Sequence, residues 1–143
     1  MNTVVLLVDD EAPFVETMKK RLTKRNLVIL SALNGPEALD VLDRDSRVDV
    51  VILDVKMPGM DGMETLRQIK EAHPAVEVIM LTGHATMETA IEGMKLGAFD
   101  YLMKPCSIEE VLSKVQEAKE KRRRHEEEIT QARIRDITMR RGD

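Results

Sequence analysis

Five short apolar runs punctuate the chain: Val4–Val8, Leu27–Ala32, Val50–Leu53, Glu77–Leu81 and Phe99–Met103. The first, third and fourth are mostly Val, Ile and Leu without strict alternation, which suits strands buried on both faces of a parallel sheet. Between the runs, apolar residues recur at helical spacing. Phe14, Met18 and Leu22 form one stripe, and Pro13 suits the first turn of that helix. Ala38, Val41 and Leu42 form a second, Met63, Leu66 and Ile69 a third, and Ala90, Ile91 and Met94 a fourth, which Gly97 is placed to close. A last helix opens at Ser107, an N-cap residue with Glu110 three positions on. Strand and helix thus alternate five times, which predicts an α/β fold with a parallel sheet and right-handed crossovers. Such sheets bind ligands at the carboxyl ends of their strands.

Those ends carry the chemistry. Strand one ends Val8-Asp9-Asp10-Glu11, strand three Leu53-Asp54, strand four Leu81-Thr82-Gly83 and strand five Met103-Lys104-Pro105. The expected fold brings three carboxylates, a hydroxyl and an ammonium to one rim. Crowded carboxylates repel, and a hard cation with oxygen ligands, Mg²⁺, relieves the repulsion. A lone thiol and scattered histidines do not make a zinc site. A cation beside a carboxylate also neutralises charge on an incoming phosphoryl group, so the carboxylate can act as nucleophile. Lys104 would then pair with the phosphate and Thr82 would hydrogen-bond to it. Each piece alone has an ordinary reading as cap, turn or strand residue, but core packing does not produce all four together.

Composition narrows the alternatives. The chain has 143 residues, 43% hydrophobic and 34% charged, which fits a packed domain. Only Phe14, Phe99 and Tyr101 are aromatic, too few for a nucleic-acid stacking platform. The net charge of -4 implies no partner by itself. A single cysteine, Cys106, fits a reducing compartment. No membrane span or leader is read, so a cytoplasmic location is expected.

The stretches Leu7-Val-Asp-Asp-Glu11, Val51-Ile-Leu-Asp-Val-Lys-Met-Pro-Gly-Met-Asp-Gly62, Met80-Leu-Thr-Gly-His84 and Gly97-Ala-Phe-Asp-Tyr-Leu-Met-Lys-Pro105 resemble the receiver domains of two-component response regulators. The nitrogen-regulator type is the most similar. The resemblance implies a flavodoxin-like, doubly wound five-stranded sheet in order 2-1-3-4-5. It implies Asp54 as phosphoacceptor, and Asp9, Asp10, Asp54 and the backbone carbonyl of Lys56 as Mg²⁺ ligands. It implies Lys104, followed by a cis bond to Pro105, as the phosphate contact, and Thr82 with Tyr101 as the switch pair. The side chains of Lys56 and His84 would flank the pocket. A sensor histidine kinase would supply the phosphoryl group, and a surface of helix four, strand five and helix five would respond. Receivers of this type usually precede an ATPase that acts with an alternative sigma factor, so the output would be transcriptional or another signalling step.

Three other functions compete with this reading. A haloacid-dehalogenase-like phosphatase shares an Asp nucleophile and Mg²⁺, but it wants an acid two residues on, where Lys56 stands. A flavin carrier would meet Asp9-Asp10-Glu11 where its phosphate loop belongs. A receiver without chemistry would not need Asp10, Asp54, Thr82 and Lys104 together.

The receiver is expected over residues 1–118 and a helical extension over 119–143. No Gly or Pro lies between residues 106 and 141, so one helix is predicted from about Ser107 to about Met139, with Glu117–Lys121 and Glu120–Arg124 as supporting pairs. Residues 106–143 hold ten basic and nine acidic residues, and Glu126-Glu-Glu128 follows the basic run at once, which argues against nucleic-acid binding. The extension, or the surface of helix four, strand five and helix five, is a candidate homodimer contact. The extension equally suits a linker to an output domain.

Overall fold

The computed structural model describes residues 2–55, 61–83 and 87–141. Strands β1 (Val4–Val8), β2 (Val28–Ala32), β3 (Val50–Leu53), β4 (Glu77–Thr82) and β5 (Asp100–Met103) alternate with helices α1 (Ala12–Thr23), α2 (Gly35–Arg44), α3 (Gly62–Ala72), α4 (Met87–Lys95) and α5 (Ile108–Arg141). All strands pair in parallel in the order β2-β1-β3-β4-β5. This is the expected doubly wound sheet.

The unbroken apolar runs have the expected consequence: every residue of β1, β3 and β4 is buried. Successive side chains point to opposite faces, so each run feeds two cores. On one face Val5, Leu7, Ile52 and Leu81 pack with Val15 and Leu22 of α1 and Val111 and Val115 of α5. On the other, Leu6, Val51, Leu53 and Val78 pack with Ala38 and Leu42 of α2 and Leu66 and Ile69 of α3.

Local chemistry starts and stops the helices. The Asn34 side chain accepts the Glu37 N–H at 2.9 Å, and the Asp61 side chain accepts that of Glu64 at 2.8 Å. Ser107 Oγ accepts the Glu110 N–H at 3.1 Å and the Glu110 carboxylate accepts from the Ser107 N–H at 3.5 Å, the capping box read from the sequence. Gly97, at φ +105, ends α4 in a conformation that favours glycine.

Several expectations are corrected. β2 begins at Val28 rather than Leu27 and β5 at Asp100 rather than Phe99, while β4 ends at Thr82, as the strand end read from the sequence has it. The buried face of α1 is Val15, Met18 and Leu22, with Phe14 only partly buried. The stripe Ala90, Ile91, Met94 is not the core face of α4: Ile91 and Met94 are exposed and only Gly93 is buried. An added Cβ at Gly93 would lie 2.2 Å from Met80 Cε. The helix therefore meets the sheet through its smallest residue and turns its larger ones outward.

α5 is a single 34-residue helix. Val111, Val115 and Ala118 bury it, and the next turn is held by charge at the amino end of the sheet. Lys119 lies 3.5 Å from Asp49, Lys121 3.5 Å from Glu77 and Arg122 3.8 Å from Asp49. Arg122 also donates to the Val48 carbonyl. From Arg123 to Met139 every side chain is exposed. The expected pairs Glu117–Lys121 and Glu120–Arg124 give way to others: Lys121 reaches Glu77, and Glu120 pairs with Arg123, which also meets Glu127. A partner distant in sequence recruits Lys121, while Glu120 takes the i+3 arginine in place of the i+4 one. Among the described residues no helix is long and apolar enough to cross a membrane.

Candidate functional site

Two backbone bonds set the rim of the sheet. The Asp9 N–H donates to the Ala32 carbonyl at 3.1 Å, and the Asp54 N–H donates to the Val8 carbonyl at 2.9 Å. The ladder thus runs one residue past β1 and β3 and places both carboxylates at the same edge. Asp9 and Asp54 are buried, while Asp10 and Glu11 are exposed. One carboxylate oxygen from each of Asp9, Asp10, Glu11 and Asp54 lies within 4.8 Å of the others.

Lys104 enters from β5. Its N–H donates to the Thr82 carbonyl at 3.0 Å, and the Lys104–Pro105 peptide is cis. Its Nζ lies 2.6 Å from Asp9 Oδ2, 3.4 Å from Glu11 Oε1 and 3.6 Å from Asp54 Oδ2. Burial raises the pKa of Asp9, against the pull of Lys104 and the Glu11 N–H. Burial pushes the Lys104 ammonium down, but the hydrogen bond and charge of Asp9, with Asp54 and Glu11, outweigh it and leave it above the ordinary lysine value.

Four carboxylates against one ammonium leave the pocket strongly negative. An all-oxygen donor set of this kind fits a hard divalent cation such as Mg²⁺. Asp9, Asp10, Glu11 and Asp54 are the described residues able to hold it.

Thr82 is buried at the end of β4 and Tyr101 is 41% exposed on β5. Both line a cavity of about 10 Å³ with Val55, Met80 and Ala90, room for about one water. On its outer side Tyr101 borders an open apolar groove of about 500 Å³ with Met87, Ile91 and Met94.

The rim gathers Asp9, Asp10, Asp54 and Lys104, and Thr82 and Tyr101 share the adjoining cavity. Lys56 and His84 lie outside the described residues. Two neighbours were missed by sequence reasoning. Glu11 stands in the same acidic run; its N–H donates to Asp9 Oδ1 at 2.9 Å, and its carboxylate turns toward the pocket, 3.4 Å from Lys104 Nζ. Phe14 had been read as core; its ring faces Lys104 Nζ at 4.2 Å, a contact across 90 residues that no local pattern reports.

Residues 5–116 match the family model described as the response regulator receiver domain. The chain is 37% identical over 115 residues to the DNA-binding transcriptional regulator NtrC of Escherichia coli (strain K12), covering 80% of this chain and 24% of that protein. The receiver domain protein of Clostridium thermocellum superposes with a TM-score of 0.81 at 35% identity, covering 85% of this chain and 97% of that one. NtrX of Brucella abortus superposes with a TM-score of 0.82 at 27% identity, over 93% of this chain and 30% of that one. The chain spans about a quarter of the length of the curated relatives it matches. Receiver domains are signalling switches rather than classical enzymes. On the strength of a family match that runs through both the acidic rim and the lysine, this chain belongs to the receiver domains of two-component response regulators.

Proposed function

We propose that the chain is a phosphorylation-driven switch whose phosphoacceptor is Asp54. The observation that carries this reading is the position of the Lys104 ammonium, within 3.6 Å of both Asp9 and Asp54 at the mouth of a four-carboxylate cluster. An Asp54 oxygen attacks the phosphorus of a donor, and the bond from phosphorus to the leaving group breaks. The product is an acyl phosphate. Water later attacks the same phosphorus and returns the carboxylate and inorganic phosphate. Lys104 offers N–H donors to the phosphoryl oxygens, and Thr82 offers its hydroxyl. Asp9, Asp10 and Asp54, with the carbonyl of Lys56, would hold Mg²⁺, which when bound neutralises charge on the transferring group.

The new charge biases a surface made of α4, β5 and α5. Tyr101 stands at its centre, outward, beside a cavity far too small for its ring. An inward Tyr101 therefore requires Thr82 or α4 to move, which couples ring and hydroxyl sterically. The exposed Met87, Ile91 and Met94 give that surface an adaptable apolar character.

The physiological donor is a sensor histidine kinase, and the output is a transcriptional or other signalling partner, as in regulators of the NtrC type. The protein acts in the cytoplasm. The receiver spans residues 1–118, and the extension is a linker or homodimer contact whose first turn still rests on the domain. The basic run is not a nucleic-acid site: Lys121, Arg122 and Arg123 are engaged by carboxylates of the chain itself.

Intact mass after incubation with Mg²⁺ and acetyl phosphate tests the proposal. One added phosphoryl group is expected, absent in Asp54→Asn and in the presence of a chelator. Turnover of the donor without an adduct would instead indicate a phosphatase.

A further inference from the structure

Three carboxylates surround the Lys104 ammonium on one side, at 2.6, 3.4 and 3.6 Å. On another side stands an uncharged group, the Phe14 ring, with its centroid 4.2 Å from Nζ. That is well inside the roughly 6 Å over which a ring face attracts a cation. The sequence makes the placement rigid. Pro13 sets the first turn of α1, and the Val15 N–H donates to the Glu11 carbonyl at 3.0 Å, so the helix begins directly behind the acidic run. Phe14 lies in that first turn, partly buried against the α1–α5 core. Beside it opens a groove of about 170 Å³, lined also by Thr17, Arg21, Lys104 and Cys106. Without the ring, the lysine stem has that space to swing into.

We propose that Phe14 is a positioning residue for the phosphoryl site: its ring face holds the Lys104 ammonium between Asp9 and Asp54. The inference rests on the reading of Asp54 as phosphoacceptor. The choice of an aromatic group follows from what the site needs. An ammonium has three N–H donors; Asp9 at 2.6 Å and Glu11 at 3.4 Å each accept from one, which leaves one for a phosphoryl oxygen. A further carboxylate in place of the ring would neutralise the cation and compete with phosphate for its donors. An aliphatic group would leave it free to follow Asp9 alone or enter the groove. A ring face attracts the cation through its quadrupole and adds no charge.

The test is the rate of Asp54 phosphorylation by acetyl phosphate, a donor that brings no partner protein, read by intact mass. The variants are Phe14→Tyr, Phe14→Leu and Phe14→pentafluorophenylalanine. The last keeps the size and approximate shape of the ring but reverses its quadrupole. Phe14→Tyr is expected to keep the wild-type rate. Phe14→pentafluorophenylalanine and Phe14→Leu are expected to be slower by about fivefold, the worth of a partly buried cation–π contact. A urea midpoint for each variant separates loss of fold from loss of rate. A pentafluorophenylalanine variant that folds and reacts as fast as wild type overturns the inference. So does a Phe14→Tyr variant as slow as Phe14→Leu. Wild-type protein that takes up no phosphoryl group at all would instead remove the underlying reading of Asp54, which keeps the two failures apart.

Discussion

The Lys104 ammonium lies 2.6 Å from Asp9 and 3.6 Å from Asp54, closer to the carboxylate after β1 than to the expected phosphoacceptor after β3. The lysine brings positive charge to the same carboxylates that would hold a cation. Lysine and Mg²⁺ should therefore oppose each other at Asp9. Lys104→Met is expected to tighten Mg²⁺ binding by about fivefold or more, since a unit charge a few ångströms away is worth about 1 kcal/mol or more even when screened. The same variant should accept a phosphoryl group more slowly. Calorimetric titration with Mg²⁺ checks the first effect, and unchanged or weaker binding would contradict it.

Two glycines pack against the core with different neighbours. A Cβ at Gly62 would lie 2.1 Å from Val55 Cα, a backbone atom that cannot turn aside. A Cβ at Gly93 would meet Met80 Cε and Sδ, the far end of a flexible side chain. Gly62→Ala is thus expected to cost about 2–3 kcal/mol by overpacking. Gly93→Ala is expected to stay within about 1 kcal/mol of wild type, because a better helix former offsets part of the strain. Urea unfolding with an unchanged slope measures both. Equal costs would refute the distinction.

The turn after Ala118 ties α5 to the amino end of the sheet. Glu77 is buried, with one carboxylate oxygen lacking a hydrogen bond and with Lys121 as its ion-pair partner at 3.5 Å. A chain ended after Ala118 removes Lys121 from Glu77 and both Lys119 and Arg122 from Asp49, and is expected to lose about 1–2 kcal/mol. A chain ended after Arg122 keeps these contacts and should unfold at the urea concentration of the full chain. Equal stability of the two truncations would show that the turn contributes nothing.

Cys106 borders the groove beside Lys104 and is partly exposed. Burial raises its pKa, and the Glu110 charge adds to the shift against the opposing effect of Lys104. Less thiolate is then present at neutral pH than in an unfolded chain. Alkylation by iodoacetamide should be slower in the folded protein than in urea, and its rise with pH should be displaced upward. A folded rate equal to the unfolded one would contradict this.

The central strands were legible because burial on both faces writes itself as unbroken apolar runs, as in Val4–Val8 and Val50–Leu53. The edge strand β5 was less so: Tyr101 and Met103 are exposed, so its composition serves a surface as well as a core. The face of α4 was misread because Gly93, the residue that touches the sheet, carries no hydrophobic signal. The capping box at Ser107 and the closing Gly97 were legible because both are local backbone chemistry. The site followed the same division. Asp9, Asp10, Asp54 and Lys104 could be placed together once the strand ends were known, since parallel strands bring like ends to one rim. Glu11 and Phe14 could not, because their roles come from which way one helix start faces a lysine about 90 residues away.

The most direct test of the central claim is to locate the phosphoryl group by residue. After reaction with acetyl phosphate and Mg²⁺, borohydride reduces an acyl phosphate to an alcohol, turning a phosphorylated aspartate into homoserine. Peptide mass spectrometry then reads which position has changed. The account predicts homoserine at position 54 and aspartate unchanged at positions 9 and 10. Reduction at Asp9, Asp10 or Glu11, or phosphorylation that borohydride does not trap at Asp54, would contradict it.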